Sequence, residues 1–114
     1  MSEWKNFTNA ELACKCGNCD MKMDPDFMDK IQELRDRCGF PFIVTSAARC
    51  KKHNENVGGS PNSYHMKGRA IDIIVLRARA YKLLKGAMEL GFSGIGINLS
   101  PKAILPFIHL DDRK

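Results

Sequence analysis

Apolar positions recur along this chain with two different spacings, and the switch between them outlines its elements. Between residues 24 and 38, Phe27, Met28, Ile31 and Leu34 return every three or four positions, which predicts a helix with one apolar face. Asp24 suits the N-cap, Pro25 the first helical position, and Gly39 the stop. Residues 40–46, FPFIVTS, are aromatic and β-branched and predict a strand. Residues 50–64 are polar, with Gly58, Gly59, Pro61 and several asparagines, and predict an ordered loop. Residues 70–75 predict a second strand. Residues 77–90 predict a second helix, with Ala80, Leu83, Leu84, Ala87, Met88 and Leu90 on its apolar face and Gly91 as its end. A glycine-rich strand over 93–99 and a last strand over 105–110 follow. The order helix, strand, strand, helix, strand, strand predicts an α+β fold, with helices packed on a small, mainly antiparallel sheet.

Side chains alternate faces along a strand. Over 70–75, Ala70, Asp72 and Ile74 share one face, and Ile71, Ile73 and Val75 the other, so Asp72 points away from the purely aliphatic side. His65 lies just before this strand, in a loop made flexible by Gly68. In the last strand Leu105, Phe107, His109 and Asp111 share a face. Two imidazoles and one carboxylate, each in or beside a strand, make a ligand set that leaves a fourth tetrahedral position for water, as in catalytic zinc sites. The plainer alternative leaves them unrelated: His65 caps a loop, His109 is a hydrogen-bonded core histidine, and Asp72 accepts backbone N–H groups.

Composition narrows the classes. A chain of 114 residues suits one domain over 1–114 with a hydrophobic core of its own. The net charge of +5 favours an anionic partner, whether nucleic acid, an acidic membrane surface or an acidic cell-wall polymer. Nucleic acid is not expected, because the basic residues are scattered, with only a small cluster at Arg49, Lys51 and Lys52 and no interleaved aromatics. No run is long enough to span a membrane, and residues 1–16 lack an apolar signal region. Five cysteines, an odd number, do not close into intramolecular pairs, and reduced thiols are expected. Cys14, Cys16 and Cys19 form a C-x-C-x2-C cluster that can contribute to a metal site, with Cys38, Cys50 or His53 as the fourth ligand; the alternative is a tight reduced turn.

The block TSAARCKKHNENVGGSPNSYHMKGRAIDI, together with FIHLD near the C-terminus, resembles the zinc D-Ala-D-Ala carboxypeptidase and L-Ala-D-Glu endopeptidase family. Its members are bacterial and bacteriophage peptidoglycan peptidases, with a fold shared by the hedgehog signalling domain. The resemblance extends from about Phe7 to Arg113, and the phrase HN-x2-VGG-x-PNS is close to phage-type members. It implies a zinc ion held by His65, Asp72 and His109, with Arg49 and Ser63 toward the substrate. Arg49 would bind a terminal carboxylate of the peptide or the oxyanion formed on attack. Many relatives carry a general-base carboxylate three residues before the last zinc histidine, where this chain has Pro106. Asp111 is the nearest replacement, as the base or as an acceptor orienting a histidine N–H, and Glu55 is the next. The expectation is a monomeric zinc peptidase acting on peptidoglycan stem peptides. It would be made in the cytoplasm without a signal and reach the cell wall after release, as an endolysin or as part of a virion. A non-catalytic zinc-binding module of the same fold is the alternative.

Overall fold

The computed structural model describes residues 4–17, 19–98 and 107–113. The chain opens with a short helix α1 (Asn9–Leu12), entered through a capping box in which Thr8 Oγ1 accepts from the Glu11 N–H and Glu11 accepts from the Thr8 N–H. Helix α2 (Pro25–Cys38) has the expected ends: Asp24 Oδ2 accepts from the Phe27 N–H at 3.0 Å, and Gly39 closes it at φ 73°. Its apolar face is fully buried at Phe27, Met28, Ile31 and Leu34. Burial of each such side chain contributes roughly 1.5–3 kcal/mol.

Strands β1 (Ile43–Ser46), β2 (Ala70–Ile74), β3 (Gly94–Asn98) and β4 (Phe107–Asp111) form one sheet in the order β1-β2-β4-β3, every neighbour antiparallel. Between β1 and β2 lie a short helix α3 (Lys51–Asn56) and a 3-10 turn (Tyr64–Lys67), and between β2 and β3 lies helix α4 (Arg77–Glu89). Ile71 and Ile73 of β2 and Ile108 and Leu110 of β4 join α2 and the Leu83 and Ala87 positions of α4 in one core. The helices approach closely because α4 places Gly86 against Leu34: a Cβ there would come within 2.7 Å of Leu34 Cδ1. The α+β architecture thus follows the expectation, with one sheet face covered by helices and the other carrying Asp72 and His109.

Several local expectations need correction. The first strand starts at Ile43, not residue 40. Phe40 and Phe42 are core residues outside the sheet, with ring centroids 5.7 Å apart, and Pro41 between them has no N–H to give a ladder. The loop expected over 50–64 contains α3, which lacks an apolar stripe and is held instead by the buried Asn54, whose Nδ2 donates to the Ser60 carbonyl at 2.9 Å. Met88 is 65% exposed, because the buried face of α4 centres on Leu83 and Ala87 and position 88 falls on its flank. Gly68 is no flexible hinge. It sits at φ 69° closing the 3-10 turn, its carbonyl accepts from Asp24 N at 2.8 Å, and a Cβ would lie 2.5 Å from the Lys22 carbonyl oxygen. Leu99, Leu105 and Pro106, placed in or beside strands by the sequence pattern, lie outside the described residues.

Candidate active site

Antiparallel register assembles the site. Asp72 pairs with His109 across β2 and β4, Ser46 lies beside Asp72 on β1, and Gly96 lies beside His109 on β3. His65 arrives from the 3-10 turn. Ser63 caps that turn, its Oγ accepting the His65 N–H at 3.2 Å. The His65 carbonyl accepts from Arg49 N at 3.0 Å, which ties the turn to the chain leaving β1. The ligating atoms of His65, Asp72 and His109 all lie within 4.8 Å of one another.

The two rings are held from behind. Nδ1 of the buried His65 lies 2.7 Å from the Ala47 carbonyl oxygen, which only accepts, so that nitrogen carries the proton. His109 Nε2 lies 2.8 Å from Asp111 Oδ2, again as donor. The remaining nitrogens face Asp72: His65 Nε2 is 3.3 Å from Oδ2, and His109 Nδ1 is 2.8 Å from Oδ1. Such contacts require a cation between donor atoms, either a proton or a metal. Burial pushes the Asp72 carboxyl up, but hydrogen bonds from His109 and His65 outweigh this and hold it at about 2. Burial pushes the His109 imidazole down, yet Asp72 and Asp111 raise it overall. Two neutral imidazole nitrogens and one carboxylate oxygen, each imidazole fixed by an acceptor on its far side, suit a divalent transition metal.

A model of the peptidase M15 family matches residues 5–111. The chain belongs to the peptidase M15 family. It is also 29% identical over 101 residues to a probable peptidoglycan L,D-endopeptidase, MepK, of Haemophilus influenzae, a match covering 79% of this chain. The chain spans about half the length of that curated relative.

Around the His65–Asp72–His109 set, the other expected residues fall differently. Arg49 is half-buried: one terminal nitrogen donates to Asn54 Oδ1 at 2.9 Å and the other to Ser46 Oγ at 2.9 Å. Because Ser46 is in register with Asp72, the guanidinium stands one strand from the triad. Its buried Nε has no acceptor among the described residues. Asp111 is fully buried. Beyond His109, its carboxylate accepts from Arg113 Nε at 2.9 Å and from an Arg113 terminal nitrogen at 2.5 Å. Burial pushes that carboxyl up, while Arg113 and then His109 hold it at about 2. This is the environment of an acceptor that orients His109, on the far side of the ring from Asp72. Glu55 is exposed on α3, beside a hollow lined by Lys51, Asn54, Gly59, Pro61 and Met66, none of them in the triad.

Sequence reasoning missed the supports. Ala47 acts through its carbonyl, which no residue type signals. Asn54 and Gly59 act together: a Cβ on Gly59 would come within 2.1 Å of Asn54 Oδ1 and 2.9 Å of an Arg49 terminal nitrogen. Gly94, opposite Asp111 on β3, makes room for that carboxylate, since a Cβ there would sit 1.7 Å from Asp111 Oδ1. Arg69 binds both Asp24 (2.6 Å) and Asp112 (2.9 Å from Nε), joining the start of α2 to the end of β4. The glycines inside HNENVGGSPNS and SGIGIN were the available signal, read only as turn and strand markers.

Proposed function

We propose that this chain is a zinc-dependent peptidase that cleaves the stem peptides of peptidoglycan. The observation that carries the reading is the inward-facing donor set of His65, Asp72 and His109, with the outer nitrogen of each imidazole already committed to Ala47 or Asp111. Zinc held there supplies Lewis acidity toward a peptide carbonyl and a water activated for attack near neutral pH. Asp72 offsets part of the ion's charge. Arg49, braced by Ser46 and Asn54, presents its remaining N–H groups to a substrate carboxylate or to the oxyanion that develops on attack; a planar guanidinium suits either. Ser63 holds the His65 turn through its oxygen and keeps its own proton for a substrate carbonyl.

The name of the Haemophilus relative supports an endopeptidase over a carboxypeptidase. The closeness of HNENVGGSPNS to phage-type sequences supports a phage or prophage lysin. A second reading, a zinc-binding module without catalysis, is favoured by one observation: the Asp111 carboxylate behind His109 is engaged by Arg113 and kept from acting as a free base. Purified protein incubated with zinc and muropeptides, with products read by mass spectrometry, separates the two. New amino termini that disappear with a chelator and with His65→Ala support the peptidase. Zinc binding with intact muropeptides, disaccharide-linked and free, supports the module.

A further inference from the structure

Four of the five cysteines meet at a second place. The sulfurs of Cys14, Cys16, Cys19 and Cys50 all lie within 4.8 Å of one another, with Cys16 and Cys19 3.4 Å apart, and none of the four is in a disulfide. Zinc–thiolate bonds of about 2.3 Å in a tetrahedron put sulfurs about 3.8 Å apart, so the cluster has the right size for one ion. Backbone geometry favours it. Gly17 takes φ 72°, turning the chain between Cys16 and Cys19, and its N–H reaches the Cys14 carbonyl at 3.4 Å. Two sulfurs accept backbone N–H groups: Cys14 from Cys50 at 3.3 Å and Cys50 from His53 at 3.4 Å. Such bonds suit thiolates rather than thiols. Lys15, Lys51 and Lys52 adjoin the ligands in sequence and balance the excess negative charge of four thiolates around a dication. Cys38 lies apart, buried at the end of α2, and His53 joins through its backbone.

We propose that Cys14, Cys16, Cys19 and Cys50 hold one zinc ion in a closed, four-thiolate site that shares no residue with the His65–Asp72–His109 set. With every position taken by protein, the site is structural, and soft thiolate ligands select zinc over hard cations. It pins the segment after α1 to the chain leaving β1. That chain carries the Ala47 carbonyl behind His65, the Ala48 N–H bonded to Leu12 O at 3.2 Å, and Arg49. The knot therefore steadies two supports of the triad without touching it, and it stands whether or not the chain is a peptidase.

Metal content of the purified full chain tests this, with elemental mass spectrometry for stoichiometry and a thiol-directed mercurial to release thiolate-bound ions. Two zinc ions per chain are expected, one released by the mercurial. His65→Ala/His109→Ala should keep one ion, still released by the mercurial. Cys16→Ser/Cys19→Ser should also keep one, now insensitive to it. Should the serine variants fail to fold, cobalt-substituted wild type gives the answer through near-ultraviolet thiolate-to-cobalt charge transfer. A wild-type chain with one zinc that the histidine double variant loses would overturn the proposal. So would thiols recovered as disulfides, absence of the charge-transfer bands, or iron in place of zinc.

Discussion

At the residue scale, the site depends on which nitrogen of each histidine is pinned and by what. His109 turns Nδ1 inward only because Nε2 donates to Asp111, and Asp111 reaches that position only because Gly94 has no side chain. Asp111→Asn should therefore weaken zinc binding by about 10–100-fold, the usual effect of losing a partner behind a metal-bound histidine. Turnover at saturating zinc should change little. A fall of about 10²–10⁴-fold in turnover with zinc affinity intact would instead make Asp111 the general base. The two neighbouring strand glycines make a sharper pair. Gly94→Ala pushes a methyl into the Asp111 carboxylate and should match or exceed the Asp111→Asn loss in competitive zinc titration. Gly96→Ala meets nothing nearer than His109 Cβ at 3.5 Å, an ordinary contact, and should bind zinc as the wild type does. Equal behaviour of the two variants would remove Gly94 from the account.

At the element scale, α3 and the turn after it form a bracket for Arg49 rather than a slack connection. Asn54, buried inside the bracket, holds both the Ser60 carbonyl and the Arg49 guanidinium, and Gly59 leaves the space for that pairing. Gly59→Ala should displace Arg49 and raise KM while zinc content stays full. Arg49→Lys should lose activity by a similar route, because an ammonium cannot span Ser46 and Asn54 together as a planar fork does. Steady-state kinetics beside elemental analysis checks both, and a loss of zinc in either variant would show that the bracket supports the triad instead. Gly68 plays a comparable part on the other side of His65. Its left-handed backbone and its approach to the Lys22 carbonyl make Gly68→Ala destabilising, by about 1–3 kcal/mol in urea unfolding.

For the whole molecule, the packing of α2 against α4 under the sheet sets the level of the strands that carry Asp72 and His109. Leu34 is fully buried at that contact and faces Gly86. Leu34→Ala should cost about 2–5 kcal/mol by denaturant unfolding, the range for truncating a core leucine. Gly86→Ala alone should destabilise through overpacking, although alanine is the better helix former. Combined with Leu34→Ala, the added methyl should recover part of the loss, because it fills space the leucine vacates. Simple additivity in that double-mutant cycle would show that the two positions do not share a cavity.

What the sequence determined alone was whatever repeats locally. The three-to-four spacing of Phe27, Met28, Ile31 and Leu34 and the two-residue alternation around Asp72 and His109 are backbone periodicities, and they located α2, α4, the sheet and the shared face of His109 and Asp111. The motif resemblance added the M15 family, which the family match bears out. Tertiary structure alone decided the partners of those residues. Cys50 joins Cys14 from 36 positions away, and the Ala47 carbonyl reaches His65 across 18. The Gly94 and Gly59 backbones make room for Asp111 and Asn54. Backbone carbonyls belong to every residue, and the space above a glycine belongs to none. Neither leaves a mark in composition or spacing, and strand register with loop closure sets which of them meets a given side chain.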